Sequence, residues 1–145
     1  MTGLSGWICN FTIALLDLDH FKHVNDLHGH NAGDQVLKIV AARMQRQLRD
    51  YDSVVRWGGE EFLLVFPHAS LADAPAIGER LCTALSREPM TLDSGTALEI
   101  TASIGLAFTF REPSLSPTAF IERADKALYR AKDGGRDQYV VSEEP

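Results

Sequence analysis

Four acidic residues stand where metal-assisted chemistry could use them. Asp17 and Asp19 end an apolar run that begins at Phe11, and Glu60 and Glu61 follow the pair Gly58-Gly59. Adjacent carboxylates repel each other and are poor strand formers, so a cation is their expected partner. Asp17, Glu60 and a backbone carbonyl would suit Mg²⁺, a hard cation that keeps waters and takes its other oxygens from substrate phosphates. The alternative is that Asp17 caps a short helix and Glu60 is merely solvated. Spacing alone does not bring the two together, so both readings stand. An EF-hand is excluded, because Phe21 falls on a ligand position and Lys22 on that of the required glycine. His20, His23, His28 and His30 crowd the same stretch, but their spacing matches no zinc site.

These residues need elements to position them. Phe11 to Leu18 is apolar on both faces, which predicts a strand buried in mid-sheet. A loop over Gly29 to Gly33 then leads to Val36, Val40, Met44 and Leu48, whose spacing predicts a helix up to about Arg49. Val54-Val55 and Phe62 to Phe66 flank Gly58-Gly59 and read as a hairpin with a two-residue turn, for which φ > 0 favours glycine. Ser70-Leu71-Ala72-Asp73 is a capping-box pattern ahead of the helical stripe Ala74, Ile77, Leu81 and Leu85. From Glu99 to Phe108 large and small residues alternate, predicting a strand whose Ser103, Gly105 and Ala107 face could take a close-packed helix. Ser116-Pro117 marks the start of a last helix running to Lys132, and Gln138 to Val141 is a short final strand. Fold class follows: an α/β (α+β) sandwich with a mainly antiparallel central sheet and flanking helices.

At 145 residues and 45% hydrophobic content, residues 1–145 read as one domain with a sizeable core. A formal net charge of -6 argues against a surface for a nucleic-acid polymer. The run from Phe11 to Leu16 is far below the roughly 18 to 20 residues that span a bilayer, so no membrane contact is expected of this segment. Cys9 and Cys82 lack metal or redox spacing and read as reduced thiols of an intracellular protein.

Four spaced blocks carry a family resemblance: Asp17-Leu18-Asp19-His20-Phe21-Lys22-His23-Val24-Asn25-Asp26, then Gly29-His30-Asn31-Ala32-Gly33-Asp34, Gly58-Gly59-Glu60-Glu61-Phe62, and Ala124 to Lys132 with Gly134-Gly135-Arg136. In order and separation they resemble the GGDEF family, the diguanylate cyclases. The resemblance implies a palm-like sheet similar to those of nucleotidyl cyclases and polymerases, with a ferredoxin-like core. It also implies condensation of two GTP into cyclic di-GMP with release of two pyrophosphates, each domain of a homodimer holding one GTP.

By that resemblance, Asp17, the carbonyl of Leu18 and Glu60 bind two Mg²⁺ ions, or Mn²⁺ in their place, with Glu61 in support. Glu60 is then the residue that assists deprotonation of the 3′-hydroxyl, Glu61 the lesser member of the pair. Asn25 and Asp34 match the guanine-reading positions, and their chemistry suits that role, since a carboxylate accepts from guanine N1-H and N2-H₂, while an amide donates and accepts. A turn residue and a first-turn helix charge are the alternatives. Lys22, Lys132 and Arg136, with backbone amides around His20 and Phe21, match phosphate contacts. The Phe21, Phe62 and Leu128 side chains are expected in the core.

Arg49-Asp50-Tyr51-Asp52 has the spacing of the family's product-binding inhibitory site. Arg49 can offer a bidentate fork to guanine O6 and N7, and Asp52 can accept from N1 and N2. Arg80 falls where some members supply a second arginine. The family's usual opening helix is missing or divergent here, with Thr2-Gly3-Leu4 as a remnant. The resemblance further implies a sensory or regulatory partner domain and a bacterial cytoplasmic location. Two rival readings are a non-catalytic module that binds cyclic di-GMP or GTP, and a palm-type transferase acting on ATP.

Overall fold

The computed structural model describes residues 10–110 and 116–143. Thr2-Gly3-Leu4 and Cys9 lie outside them. In chain order the elements are β1 (Asn10–Leu18), α1 (Phe21–His28), α2 (His30–Gln45), β2 (Ser53–Arg56) and β3 (Glu61–Pro67). A 3-10 turn (Leu71–Asp73) leads to α3 (Ala74–Ser86), then β4 (Met90–Thr91), β5 (Ala97–Leu98), β6 (Ala102–Phe110), α4 (Pro117–Asp133) and β7 (Gln138–Val141).

Five strands form one sheet in the order β2-β3-β1-β6-β7, antiparallel except for the β6–β7 pair. Parallel neighbours need a crossover, and α4 supplies it. β1 lies at the centre, and its alternation sorts the core into two layers. Ala14, Leu16 and Leu18 pack with Val36, Val40, Leu81 and Leu85 under α1, α2 and α3. Ile13 and Leu15 pack with Phe120, Ala124 and Leu128 of α4 on the other face. Fold class is as the sequence predicts, a mixed α/β sandwich on a mostly antiparallel sheet.

Gly105 explains how closely α4 sits. A Cβ there would come within 2.1 Å of the Ala124 carbonyl oxygen and 2.2 Å of the Leu128 nitrogen, both backbone atoms of α4. Only glycine permits that approach. The Ser116 hydroxyl caps α4 by accepting from the Ala119 amide at 3.1 Å. Asp73 takes up the Ser70 amide at 2.8 Å as the capping-box pattern predicts.

Several boundaries differ from the sequence reading. The expected loop over Gly29 to Gly33 shrinks to Gly29 at φ 90, because α2 begins at His30. The hairpin β4–β5 has no counterpart in that reading. Its Gly95 at φ 90 was a turn signal in the sequence, and Gln35 docks it by accepting from the Asp93 amide at 2.8 Å. Among the described residues, no helix is long and apolar enough to cross a membrane.

Candidate active site

The register of β1 on β3 sets Asp17 opposite Glu61, and the Leu18 amide donates to the Glu60 carbonyl at 3.2 Å. Asp17 and Glu61 share the parity of Ile13, Leu15 and Leu63, so they lie on the α4 side of the sheet. There Lys132, from the last turn of α4, reaches the Asp17 carboxylate at 2.5 Å. Glu60 precedes β3, so strand alternation does not separate it from Glu61, and both line one cavity with Asp17.

The Gly58-Gly59 turn also departs from expectation. Neither glycine has a positive φ, and β2 ends at Arg56 while β3 starts at Glu61, so the loop has four residues rather than two. A Cβ at Gly58 would stand 3.0 Å from a Glu61 carboxylate oxygen, the movable end of a side chain, and one at Gly59 would meet nothing within 4 Å. Arg56 holds the loop, donating to the Gly58 and Gly59 carbonyls at 3.2 and 2.6 Å. Sequence reasoning assigned Arg56 no role. Its place beside the turn was the available signal.

Electrostatics follow from this crowding. Partial burial and then the Asp17 charge push Glu60 and Glu61 above the ordinary carboxylate range, with Lys132 pulling both back. Burial pulls Lys132 down, but its hydrogen bond to Asp17 and the nearby carboxylates outweigh this and leave it raised. The carboxylates thus compete for the same ammonium group. Among the described residues, no three His, Cys, Asp or Glu side chains are grouped so as to hold a metal by themselves. Open carboxylates under mutual repulsion fit a hard cation that takes most of its oxygens from phosphate and water.

Asn25 of α1 and Asp34 of α2 line the same cavity, of about 610 Å³, together with His30 and Phe21. His30 was not singled out as a lining residue from sequence. Phe21, Phe62 and Leu128 are buried, as expected. His20 sits at the β1–α1 junction at φ 57, and Lys22 is exposed on α1. Arg136 is exposed at φ 65 in the turn after α4. Lys22, Lys132 and Arg136 do not line the cavity, although Lys132 meets it through Asp17.

Arg49, Asp52 and Arg80 line a second cavity of about 240 Å³, with Tyr51, His68 and Asp73. Asp52 accepts from the Arg49 amide at 2.9 Å, and the Arg49 guanidinium donates to the Tyr51 hydroxyl at 3.2 Å. The exposed Arg49 guanidinium is charged as arginine always is, and the Tyr51 hydroxyl raises it from its ordinary value. Arg80 donates to the Gln47 carbonyl at 3.2 Å.

Comparison with known proteins agrees with this geometry. The family model described as diguanylate cyclase, GGDEF domain, matches residues 9–138. Diguanylate cyclase DgcP of Pseudomonas aeruginosa is 45% identical over 130 residues, covering 90% of this chain and 19% of that protein. The response regulator PleD of Caulobacter vibrioides is 42% identical over 127 residues, covering 87% of this chain and 28% of that protein. The chain thus spans well under half of these relatives. The GGDEF domain of DgcB from Caulobacter crescentus, solved in complex with c-di-GMP, superposes with a TM-score of 0.86 at 36% identity, covering 94% of this chain and 77% of that one. The chain belongs to the diguanylate cyclase GGDEF domain family.

Proposed function

We propose that residues 1–145 form a single catalytic domain that condenses two GTP into cyclic di-GMP and two pyrophosphates. The observation that carries this reading is the meeting of Asp17, Glu60 and Glu61 with Asn25 and Asp34 around one cavity. Asp34 accepts from guanine N1-H and N2-H₂ and Asn25 completes the edge, a pattern that adenine does not offer. Lys22, Lys132 and Arg136, with the amides near His20 and Phe21, hold the triphosphate. Asp17, the Leu18 carbonyl and Glu60, supported by Glu61, are the residues that would hold two Mg²⁺ or Mn²⁺. Such ions offset phosphate charge and lower the pKa of an attacking hydroxyl. Glu60 assists removal of the 3′-hydroxyl proton, and the oxygen attacks the α-phosphorus of the opposite GTP as pyrophosphate leaves. One domain supplies one GTP, so a second copy of the domain completes the reaction.

The Arg49, Asp52 and Arg80 cavity is the product site, where cyclic di-GMP inhibits. The domain acts under a sensory or regulatory domain in the bacterial cytoplasm. Incubation of the purified chain with GTP and Mg²⁺, followed by nucleotide separation, tests the reading. Cyclic di-GMP forms, Glu60→Gln abolishes it, and Arg49→Ala removes calorimetric binding of cyclic di-GMP at the second cavity. No product at high protein concentration overturns the catalytic claim, and binding of cyclic di-GMP without turnover supports a receptor module instead.

A further inference from the structure

Asp19 is buried and belongs to no cavity described above, yet it gathers hydrogen bonds from three residues on two segments. Its Oδ2 accepts from the Thr101 hydroxyl at 2.6 Å and from the Asp137 amide at 2.9 Å, and its Oδ1 accepts from the Ser103 hydroxyl at 2.7 Å. Its own amide donates to the Thr101 carbonyl at 2.9 Å. Asp137 and its neighbour Arg136 both lie in the left-handed region, at φ 47 and φ 65. Non-glycine residues adopt that conformation in succession only where their surroundings hold them. Several contacts tie this turn to α4: the Gly134, Gly135 and Arg136 amides donate to the Arg130, Lys132 and Ala131 carbonyls, and the Gln138 side chain donates to the Ala131 carbonyl. Gln138 then pairs with Ser103 of β6, and the Asp137 amide, through Asp19, ties the turn to the end of β1.

We propose that Asp19 is a positioning residue that pins the turn after α4 to the end of β1, so that Arg136 and the His20–Phe21 amides form one phosphate cradle. The proposal rests on the GTP-binding reading above. Asp19 acts through Arg136 and touches neither nucleotide nor metal. Its side chain is committed to Thr101, Ser103 and Asp137, with Oδ2 already taking two donors. An asparagine at this position can keep all three bonds: its oxygen accepts from Thr101 and Asp137, and its amide donates to the rotatable Ser103 hydroxyl. A metal ligand would be weakened by that exchange, since the neutral amide offers a cation one oxygen and no charge.

The test is a double-mutant cycle on the dissociation constant of 3′-deoxy-GTP with Mg²⁺, an analogue without the attacking hydroxyl. Asp19→Ala weakens binding about tenfold, near the low end for one charge-assisted hydrogen bond. In an Arg136→Ala background the same change has less than about a twofold effect, since the contact it positions is gone. Asp19→Asn restores binding to within about threefold of the parent chain, as retained hydrogen bonds require. An equal loss in both backgrounds overturns the proposal, as does a loss in Asp19→Asn as large as in Asp19→Ala. Where the alanine variant does not fold, Asp19→Glu keeps the charge but lengthens the arm, and the same background dependence is expected. Amide hydrogen exchange separates the proposal from the reading beneath it. Exchange at Asp137 accelerates at least about tenfold in Asp19→Ala and not in Asp19→Asn, as loss of that one bond implies. Unchanged exchange refutes the anchor, whereas a parent chain that binds no analogue but shows this acceleration refutes only the GTP reading.

Discussion

Replacing Gly33 by alanine separates recognition from stability, because the space that its missing side chain leaves is filled by Asn25. A Cβ at Gly33 would stand 2.0 Å from the Asn25 side-chain oxygen and 3.1 Å from Phe21 Cζ. The first clash is with the tip of a flexible side chain, which yields by rotating, and the second needs a shift of only a few tenths of an ångström. Gly33 lies inside α2 without a positive φ, so alanine gains about 1 kcal/mol of helix propensity. Overpacking of Phe21 costs about 1 kcal/mol, the low end for an added methyl group. The terms nearly cancel, and Tm stays within roughly 4 °C of the parent. Asn25, however, leaves the position from which it would read guanine. Losing its bonds to the base and stranding their partners costs about 1–3 kcal/mol, or about 5- to 150-fold in affinity. Calorimetry with 3′-deoxy-GTP and with the matching adenosine analogue reads this out beside a thermal melt. Guanine preference falls while the melt holds. A guanosine affinity within twofold of the parent would falsify the argument, and a Tm loss above roughly 10 °C would show that α2 and not the amide had moved.

Other outcomes follow from the same geometry. Lys132→Met removes the cation that lowers Glu60 and Glu61, so both carboxyls rise further and divalent-cation affinity begins to fail at a higher pH than in the parent. For stability the sign is opposite: raised folded-state carboxylates favour the folded protein as pH falls through their range and lose that contribution as pH rises. Titration of Mn²⁺ binding against pH checks the first effect, and an inflection that does not move refutes the electrostatic coupling. Gly105→Ala pushes a methyl group into the α4 backbone and costs about 3 kcal/mol, lowering Tm by roughly 6–12 °C, with an unchanged melt as the contrary result.

Much of the fold was legible because its signals are local. The alternation of Ala102, Ile104, Leu106 and Phe108 marks β6, and the small residues between them mark the face where α4 packs. Ser116-Pro117 and Ser70 to Asp73 mark helix starts through hydrogen bonds from backbone amides to side chains within one turn. The two-residue strands β4 and β5 carry too little pattern to register, apart from the turn at Gly95. The Gly58-Gly59 turn misled for a related reason. A glycine pair is the local signal of a two-residue turn with positive φ, whereas the folded chain makes a four-residue loop in which neither glycine adopts it.

By itself the sequence determined the family, the candidates for chemistry and most of the order of elements that bear them, because motif spacing and periodicity are properties of the chain. Tertiary structure alone decided how those residues meet. Asp17 faces Glu61 through a strand register, and Lys132 reaches Asp17 across a separation of 115 residues because α4 packs on Gly105. Such contacts depend on which faces of the sheet the helices cover, a balance of packing spread over the whole core that no local stretch encodes.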